Sequence, residues 1–357
     1  MAFRPILSAM RHRKTGVILI VLQVALTLAI LANALYVVRD RFDESRRPSG
    51  LDESRVFHVA ILDKERDTTG AVTQADIDAL RALPGVVDAA WVNQIPLGGS
   101  GNNSGFDLKP NAEQSLTNAA TYMADPAIVS TWGLRIVDGR ALTQDQALFV
   151  DDTLPDPTLP KVAVVSAEMA KALYPNERSA VGKTFYWGGT GPLEIVGVVE
   201  HLVSPWGRAF WDGGGGSRSV LFAARLAQSQ RIYAVRVDDP AALDRLAADA
   251  ETMLVNRVPG RLSEGAGTMA ETRERRYAGE NTVINGLVIV MALLLAMTAS
   301  GIVGLATLWV NQRRKQIGVR RALGARRVDI VRLFLTENLL ITGAGVVVGC
   351  GLAVALN

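Results

Sequence analysis

The chain has 357 residues, of which 49% are hydrophobic and 20% charged, so it is long enough for two or three domains and too apolar to be disordered. Its formal net charge of +3 is local: without the seven cations between Arg313 and Arg327, 31 basic residues (38 − 7) face 35 acidic ones. A nucleic-acid-binding protein would show a basic face with a reading helix or stacking aromatics, and this sequence shows neither. The single cysteine, Cys350, excludes an intrachain disulfide.

The first apolar run, Thr15 to Val38, is long enough to cross a bilayer as a helix. A cleaved signal peptide is the alternative, because basic residues precede the run and Ala32-Asn33-Ala34 has small residues at the spacing of a cleavage site. The run is longer than an ordinary signal core, which favours an uncleaved transmembrane helix over residues 15–38. Residues 1–14 then form a short N-terminal segment.

Residues 39–281 are hydrophilic enough to form a soluble domain with short stalk ends, and their patterns predict a mixed α/β fold. The predicted strands are Arg55 to Leu62, Val86 to Val92, Lys161 to Ser166, Leu193 to Val199 and Tyr233 to Val237.

Three helices are predicted between these strands. The first has Thr73 as its N-cap, Ile77, Leu80 and Leu83 on one face, and Pro84-Gly85 as its stop. Ser166 is the expected cap of the second helix. The third begins at Asp239-Pro240 and ends before Pro259-Gly260.

Residues with catalytic or metal-binding chemistry are sparse in this domain. Val181 to Thr184 imitates the end of a nucleotide-binding P-loop, but Glu177 stands where that motif requires glycine. His12, His58 and His201 are scattered without metal-ligand spacing. The sequence therefore predicts no catalytic residue, no cofactor-binding residue and no metal site, and we expect a protein that is not an enzyme.

Two further apolar runs, Val283 to Val310 and Leu339 to Leu356, predict transmembrane helices over residues 282–310 and 339–357. Each carries small residues at four-residue intervals, which would let another helix backbone approach closely. The predicted helix-packing residues are Ala296, Ser300 and Gly304 in the second span, and Gly345, Gly349 and Ala353 in the third. The absence of charged residues within the second span, and after Asn338 in the third, argues against a proton relay or ion path.

Residues 311–338 join these two spans and contain RRKQIGVRRALGARR, with seven cations and no acid. Such a stretch could be a nucleic-acid-binding arm, a topological anchor or a docking element. Short basic loops stay in the cytoplasm, which places the N-terminus and this segment inside and the large domain outside. The pattern predicts a helix from Gln316 to Leu323, ended by Gly324 in a left-handed conformation, and an amphipathic helix from Ala325 onward. A mere anchor would not need this arrangement, so the sequence favours docking.

The stretch from Gln316 to Ala325 resembles the E-I-G-x-x-R-A-x-G-A segment of the MacB-like and FtsX-like permeases of ABC transporters, the type VII or mechanotransmission class. The resemblance extends to VAVVSAEMAKALYPNERSAVGKTF with LEIVGVVE, and to the order of one span, a large outer domain and further spans. It implies a membrane protein with α-helical spans, an extracytoplasmic mixed α/β domain of the MacB periplasmic core type, and an FtsX-like region at residues 282–357.

The same resemblance implies a function. The chain would be a permease subunit in the bacterial inner membrane, with a cytoplasmic N-terminus and a periplasmic domain, serving export or efflux. It would dimerise with a second copy or a homologous permease and dock on a separate ABC ATPase, with a periplasmic adaptor as a further candidate partner and membrane lipid around its spans. The implied ATPase-coupling residues are Gln316, Ile317, Gly318, Arg320, Arg321, Ala322, Leu323, Gly324 and Ala325.

Two departures from the family pattern bear on this expectation. Gln316 stands where the family usually has glutamate, so a contact made by that carboxylate is not expected here. The family has four spans, whereas this chain ends at Asn357 with its third, and we expect a truncated product or a lost fourth helix. The alternative function is a non-transporting scaffold or signalling subunit that activates a periplasmic partner. A membrane-anchored enzyme is the weakest alternative because the sequence lacks a site.

Overall fold

The structure, a computed structural model, describes residues 14–151, 153–154, 158–188, 191–207, 216–312, 314–322, 324 and 326–355. The chain divides into two compact units. One, which we call the outer domain, is Glu44–Ala278. The other, the helical unit, combines Met1–Asp43 with Gly279–Asn357.

The helices are α1 (Lys14–Ser45), α2 (Ala71–Arg81), α3 (Ile128–Trp132), α4 (Ala167–Leu173), α5 (Leu243–Arg257), α6 (Met269–Gln312), α7 (Arg314–Ala322) and α8 (Arg327–Ala355). The strands are β1 (Val56–Leu62), β2 (Val86–Val92), β3 (Asn103–Asp107), β4 (Thr117–Ala124), β5 (Ile136–Gly139), β6 (Leu148–Val150), β7 (Val162–Ser166), β8 (Thr184–Trp187), β9 (Leu193–Val199), β10 (Ser219–Leu226), β11 (Gln230–Val237) and β12 (Leu262–Thr268). Among the described residues, α1, α6 and α8 each contain a stretch long and apolar enough to cross a membrane.

The strands of the outer domain join into one sheet in the order β12-β1-β11-β2-β4-β3-β8-β9-β7-β10-β6, with β5 added to β9. Because β10 also pairs with β4 in parallel, strands β4, β3, β8, β9, β7 and β10 form a closed circuit. Strands β12, β1, β11 and β2 extend from it as an antiparallel ribbon, in which His58 lies opposite Ala234 on one side and Gly267 on the other.

Helices cover the two faces of this ribbon because its residues alternate between them. On one face, Phe57 and Val59 of β1 pack with Ile77 and Leu80 of α2 and with the apolar side of α5. On the other face, Val56 packs in the cluster that contains Trp132 of α3. A third core lies under α4, where Met169 and Leu173 are buried against β7 and β9. Strands β1, β7 and β9 and helices α2, α4 and α5 thus each contribute apolar side chains to a core.

The five strands predicted from sequence are present as β1, β2, β7, β9 and β11. The predicted cap of α4 is also confirmed, since the Ser166 hydroxyl accepts a hydrogen bond from the Met169 amide at 3.3 Å. The Asp239 carboxylate likewise accepts from the Ala241 amide at 2.9 Å, at the turn that leads into α5. The local sequence pattern was therefore sufficient to predict these strands and capping contacts.

The predicted cap of α2 is wrong. The helix begins at Ala71 after Gly70, so Thr73 lies within its first turn and cannot be the cap. The capping group is Asp67, whose carboxylate accepts from the amides of Gly70 and Thr73 at 2.8 Å each, and from the Thr73 hydroxyl at 2.8 Å. A carboxylate placed at a helix N-terminus satisfies unpaired amides and interacts favourably with the helix dipole.

A buried ionic network fastens α2, α5 and β12 to the sheet. Arg261, whose side chain is fully buried, contacts Asp63 at 2.6 Å and Asp76 at 2.9 Å. Asp76 also accepts from the Tyr233 hydroxyl at 2.8 Å and pairs with Arg257 at 3.2 Å. Buried charges of this kind are tolerated only when each is paired and hydrogen-bonded. The network therefore makes these elements depend on one another.

Candidate coupling segment and helix-packing contacts

Within the segment between the second and third spans, Arg314–Ala322 form the nine-residue helix α7. Gly324 follows with φ of +92°, a left-handed conformation that glycine adopts without a steric penalty. This confirms the predicted order of helix and glycine stop. The end of the predicted helix at Leu323 and the restart at Ala325 lie outside the described residues.

The described side chains of α7 are largely exposed. Arg314, Lys315 and Ala322 are exposed, Val319 is 60% exposed, and Ile317 is half-buried. Nothing lies within 4 Å of a Cβ built on Gly318. The side chains of Gln316, Arg320 and Arg321 are not among those that the structure describes. An exposed helix with cations and apolar side chains can bind a groove that has an apolar floor and an acidic rim.

The third span packs closely on the first through two of its predicted glycines. A Cβ added to Gly345 would lie 2.9 Å from the Cβ of Val24, and one added to Gly349 would lie 2.9 Å from the carbonyl oxygen of Ala25. Both distances are too short for real contacts, so a larger residue would force α1 and α8 apart. Ala353, the third residue of this strip, is half-buried.

The small residues predicted to pack on the second span are exposed instead. Ala296, Ser300 and Gly304 are exposed, and the Ser300 hydroxyl donates to the Ala296 carbonyl within α6 at 2.8 Å. No atom lies within 4 Å of a Cβ built on Gly304. The structure therefore does not bring this strip against α1 or α8.

Helix α1 meets α6 through residues that the small-residue pattern missed. The hydroxyls of Thr27 and Thr298 lie 2.8 Å apart, and Gly301 lies beside the side-chain amide of Gln23. Nearer the C-terminal end of α1, the Arg41 guanidinium pairs with the Glu280 carboxylate of α6. The available signal was the occurrence of Gln23 and Thr27 four residues apart in an apolar run, because polar side chains in such runs usually face a neighbouring helix.

Metal-ligating side chains do not cluster anywhere in the described part of the chain. The P-loop-like stretch is an ordinary turn, in which Gly182 has φ of +77° and β8 begins at Thr184. The distinguishing features of the described residues are instead three long apolar helices, the exposed cationic helix between the last two, and a large α/β domain.

Together these features are typical of a membrane protein with a large α/β domain. Residues 15–253 match the MacB-like periplasmic core domain, and residues 288–357 match the FtsX-like permease C-terminal domain. The chain belongs to the MacB-like and FtsX-like permease family of ABC transporters.

Curated relatives share low identity with the chain over much of its length. The macrolide export ATP-binding/permease protein MacB of Nitrosomonas europaea is 24% identical over 288 residues, which are 78% of this chain and 40% of that protein. The MacB protein of Bradyrhizobium diazoefficiens is 30% identical over 224 residues, 59% of this chain and 32% of that protein. The chain thus spans 40% or less of the length of these two relatives.

Among solved structures, the periplasmic region of MacB from Actinobacillus actinomycetemcomitans is similar to this chain, with a TM-score of 0.35 and 17% identity. The similarity covers 63% of this chain and 94% of that structure.

Proposed function

We propose that this chain is the permease subunit of an ABC transporter and couples ATP hydrolysis by a separate ATPase subunit to a conformational change of its outer domain, for export or efflux. The observation that carries the proposal is α7, an exposed helix with cations and no acid, held between two spans and stopped by a left-handed glycine. The permease works as a dimer in the bacterial inner membrane, with α7 in the cytoplasm and the outer domain in the periplasm.

In the proposed mechanism, closure of two ATPase subunits displaces α7, and α6 transmits the displacement to the outer domain. Two contacts make the start of α6 suitable for this task. The Thr268 side chain accepts from the Glu271 amide at 3.2 Å, while the Glu271 carboxylate accepts from the Thr268 amide at 3.1 Å. This reciprocal cap joins the last residue of β12 to α6 without a flexible loop, so a movement of the helix acts on the sheet.

Further contacts hold the first turns of α6 within the outer domain. The Arg273 guanidinium donates to the Glu53 carboxylate, with the Nε contact at 2.9 Å, and to the Ser45 carbonyl at 2.9 Å. The pKa of Arg273 is raised, first by its hydrogen bond to Glu53. These contacts are what a force-transmitting helix requires at its attachment point.

The proposal can be tested with Val319→Asp in the chain coexpressed with an ABC ATPase subunit from the same organism. An aspartate placed in an apolar groove loses its hydration, which costs several kcal/mol. ATPase association and ATPase stimulation should therefore fall by at least about tenfold, the effect of roughly 1.4 kcal/mol. Val137→Asp is the matched control, because Val137 is an exposed valine of the outer domain.

A topological anchor depends on its count of Lys and Arg, which Val319→Asp leaves unchanged. Parental association and stimulation in a normally inserted Val319→Asp protein would show that the segment only sets orientation. If the ATPase associates but a periplasmic hydrolase or sensor copurifies in place of an export conduit, the scaffold function replaces export.

A further inference from the structure

The outer domain contains a cavity of about 450 Å³ on the face of the ribbon formed by β1, β11 and β12. Its walls are the loop from Ile95 to Gly99 and the first turns of α6. The volume lies within the range of small-molecule sites, roughly 300–1,000 Å³. The lining residues all belong to the outer domain.

The cavity exists because the strands beneath it carry small residues. Ala60 lies opposite Gly265, and His58 lies opposite Gly267, so β12 contributes no side chain from these two positions. A Cβ built on Gly265 meets no atom within 4 Å. On the opposite wall, Leu97 has φ of +61°, which is strained for a branched residue and persists only where surrounding structure enforces it.

A buried histidine with one unpaired ring nitrogen among the described residues lines this cavity. His58 is 4% exposed, and its Nε2 accepts a hydrogen bond from Trp132 Nε1 at 3.0 Å. An imidazole that accepts at Nε2 carries its proton on Nδ1, and Nδ1 has no hydrogen-bond partner in the described chain. Burial lowers the pKa of His58 to about 3, so the ring is neutral at pH 7. The result is a buried N–H donor without an acceptor among the described residues, an arrangement that is energetically unfavourable.

Two arginines add positive charge to the same wall. Arg275 is exposed, and its Nε donates to the Glu271 carbonyl at 3.4 Å. Arg276 donates to the Trp206 carbonyl at 2.9 Å. Neither guanidinium has a carboxylate within 4 Å among the described residues. The acid on the lining, Glu264, accepts from Gln230 at 2.5 Å. The Glu271 carboxylate also lies near this wall, because a Cβ built on Gly267 would be 3.0 Å from its Oε2 and 2.8 Å from the Nη2 of Arg275.

We propose that this cavity binds a carboxylate carried on a compact apolar body. Arg275 and Arg276 bind the ligand's carboxylate, because guanidinium groups pair with carboxylates through parallel hydrogen bonds. The apolar body lies on Ile95, Leu97 and Ile232, which line the cavity beside the small floor residues. Two kinds of ligand combine a carboxylate with an apolar body: a medium-chain fatty acid, and a hydrophobic peptide with a free C-terminus.

The test uses the full chain in lipid nanodiscs, with empty nanodiscs subtracted, and follows tryptophan fluorescence. Trp132 contacts His58, and Trp206 accepts from Arg276 through its carbonyl, so both report on the cavity. The probes are octanoate and the tripeptide Ala-Leu-Leu, and the matched compounds that lack a carboxylate are octanamide and the amidated tripeptide. We expect a saturable change with octanoate, with the free tripeptide, or with both, and at least about tenfold weaker binding of the compounds that lack the carboxylate. The probe that binds identifies the source.

Two variants and one control make the test specific. Arg275→Gln removes an exposed charge and should weaken binding by about tenfold. Ala60→Leu fills the floor and should abolish binding, with the melting temperature measured to show that the domain remains folded. Arg245→Gln removes an exposed arginine on α5, outside the cavity, and should change nothing. The proposal is overturned if neither probe gives a saturable change, if octanamide binds as well as octanoate, or if Arg275→Gln behaves like Arg245→Gln.

Discussion

The hydroxyl oxygens of Thr27 and Thr298 lie 2.8 Å apart and join α1 to α6, although 271 positions separate them in the chain. In hydrocarbon a hydroxyl has no water to bond, so a partner on the neighbouring helix satisfies it. The contact therefore fixes the register of α1 against α6.

Thr298→Val should destabilise the helical unit modestly. Hydrogen bonds between membrane helices contribute about 0.6 kcal/mol on average and up to roughly 1.7 kcal/mol. The measurement is unfolding in mixed micelles as the denaturing detergent fraction rises. Thr307→Val is the control, because its hydroxyl donates within its own helix, to Val303. Thr27→Val and the Thr27→Val/Thr298→Val double variant complete the comparison. If the double variant loses as much stability as the two single variants together, the two hydroxyls do not interact.

Gly349→Val should disrupt the packing of α8 on α1. The added side chain would collide with the backbone of Ala25, and overpacking of this kind costs about 1–3 kcal/mol. Gly351→Val is a closely matched control two residues away, since a Cβ built there meets nothing within 4 Å. The melting temperature of the purified protein should fall for Gly349→Val alone. Equal melting temperatures for the two variants would contradict the observed helix contact.

Asp76→Asn should strongly destabilise the outer domain. The change removes the negative charge that faces Arg261 and Arg257, and breaking a buried pair costs about 3–5 kcal/mol. Asp249→Asn removes an exposed carboxylate that pairs with Arg245 on the same helix, and should cost less than about 0.5 kcal/mol. Chemical denaturation followed by circular dichroism compares the two. A loss for Asp76→Asn as small as that for Asp249→Asn would mean that the network does not hold these elements together.

The contribution of the Asp67 cap should depend on pH. Burial alone would raise the pKa of Asp67, but hydrogen bonds from Thr73, Thr69 and Gly70 outweigh burial and lower it. A carboxyl whose pKa is lower in the folded state stabilises the fold above its unfolded value of 3.8, and this stabilisation is lost as pH falls through the folded value. Asp67→Asn should therefore reduce the free energy of unfolding more at pH 7 than at pH 3. An equal reduction at both pH values would contradict a role for the charge.

The proposed orientation places the outer domain outside the cell membrane and α7 inside. In a Cys350→Ser background, Ala112→Cys should react with a membrane-impermeant thiol reagent in intact cells, because Ala112 is exposed on the outer domain. Arg326→Cys, also at an exposed position, should react only after the cells are opened. The reverse pattern of labelling would invert the orientation.

Local sequence was sufficient for elements whose signal lies within one segment. The first apolar run became α1 because about 20 apolar residues match the hydrocarbon thickness, and β11 and β9 followed from short apolar runs bounded by turn residues. The stop after α7 was predictable in the same way, since glycine is the residue that adopts the left-handed conformation found at Gly324.

Pairing between distant segments was decided only by the tertiary structure. Strand β12 has the sequence LSEGAGT, which carries no alternating apolar pattern, and it is a strand because β1 offers it a hydrogen-bonding edge. The cap of α2 was not predicted from the sequence because the capping side chain, Asp67, lies three residues before the N-cap position, Gly70.

The membrane helices show the same limit. Spacing identified small-residue faces on α6 and α8. In the described part of the chain, Gly345 and Gly349 meet α1, while α6 presents Thr298 and Gly301 instead of Ala296 and Gly304. A four-residue repeat determines which residues share a helix face, because it follows from the local geometry of the helix. Which face meets which neighbour depends on steric fit and hydrogen bonds between residues far apart in the chain, and no local pattern encodes these.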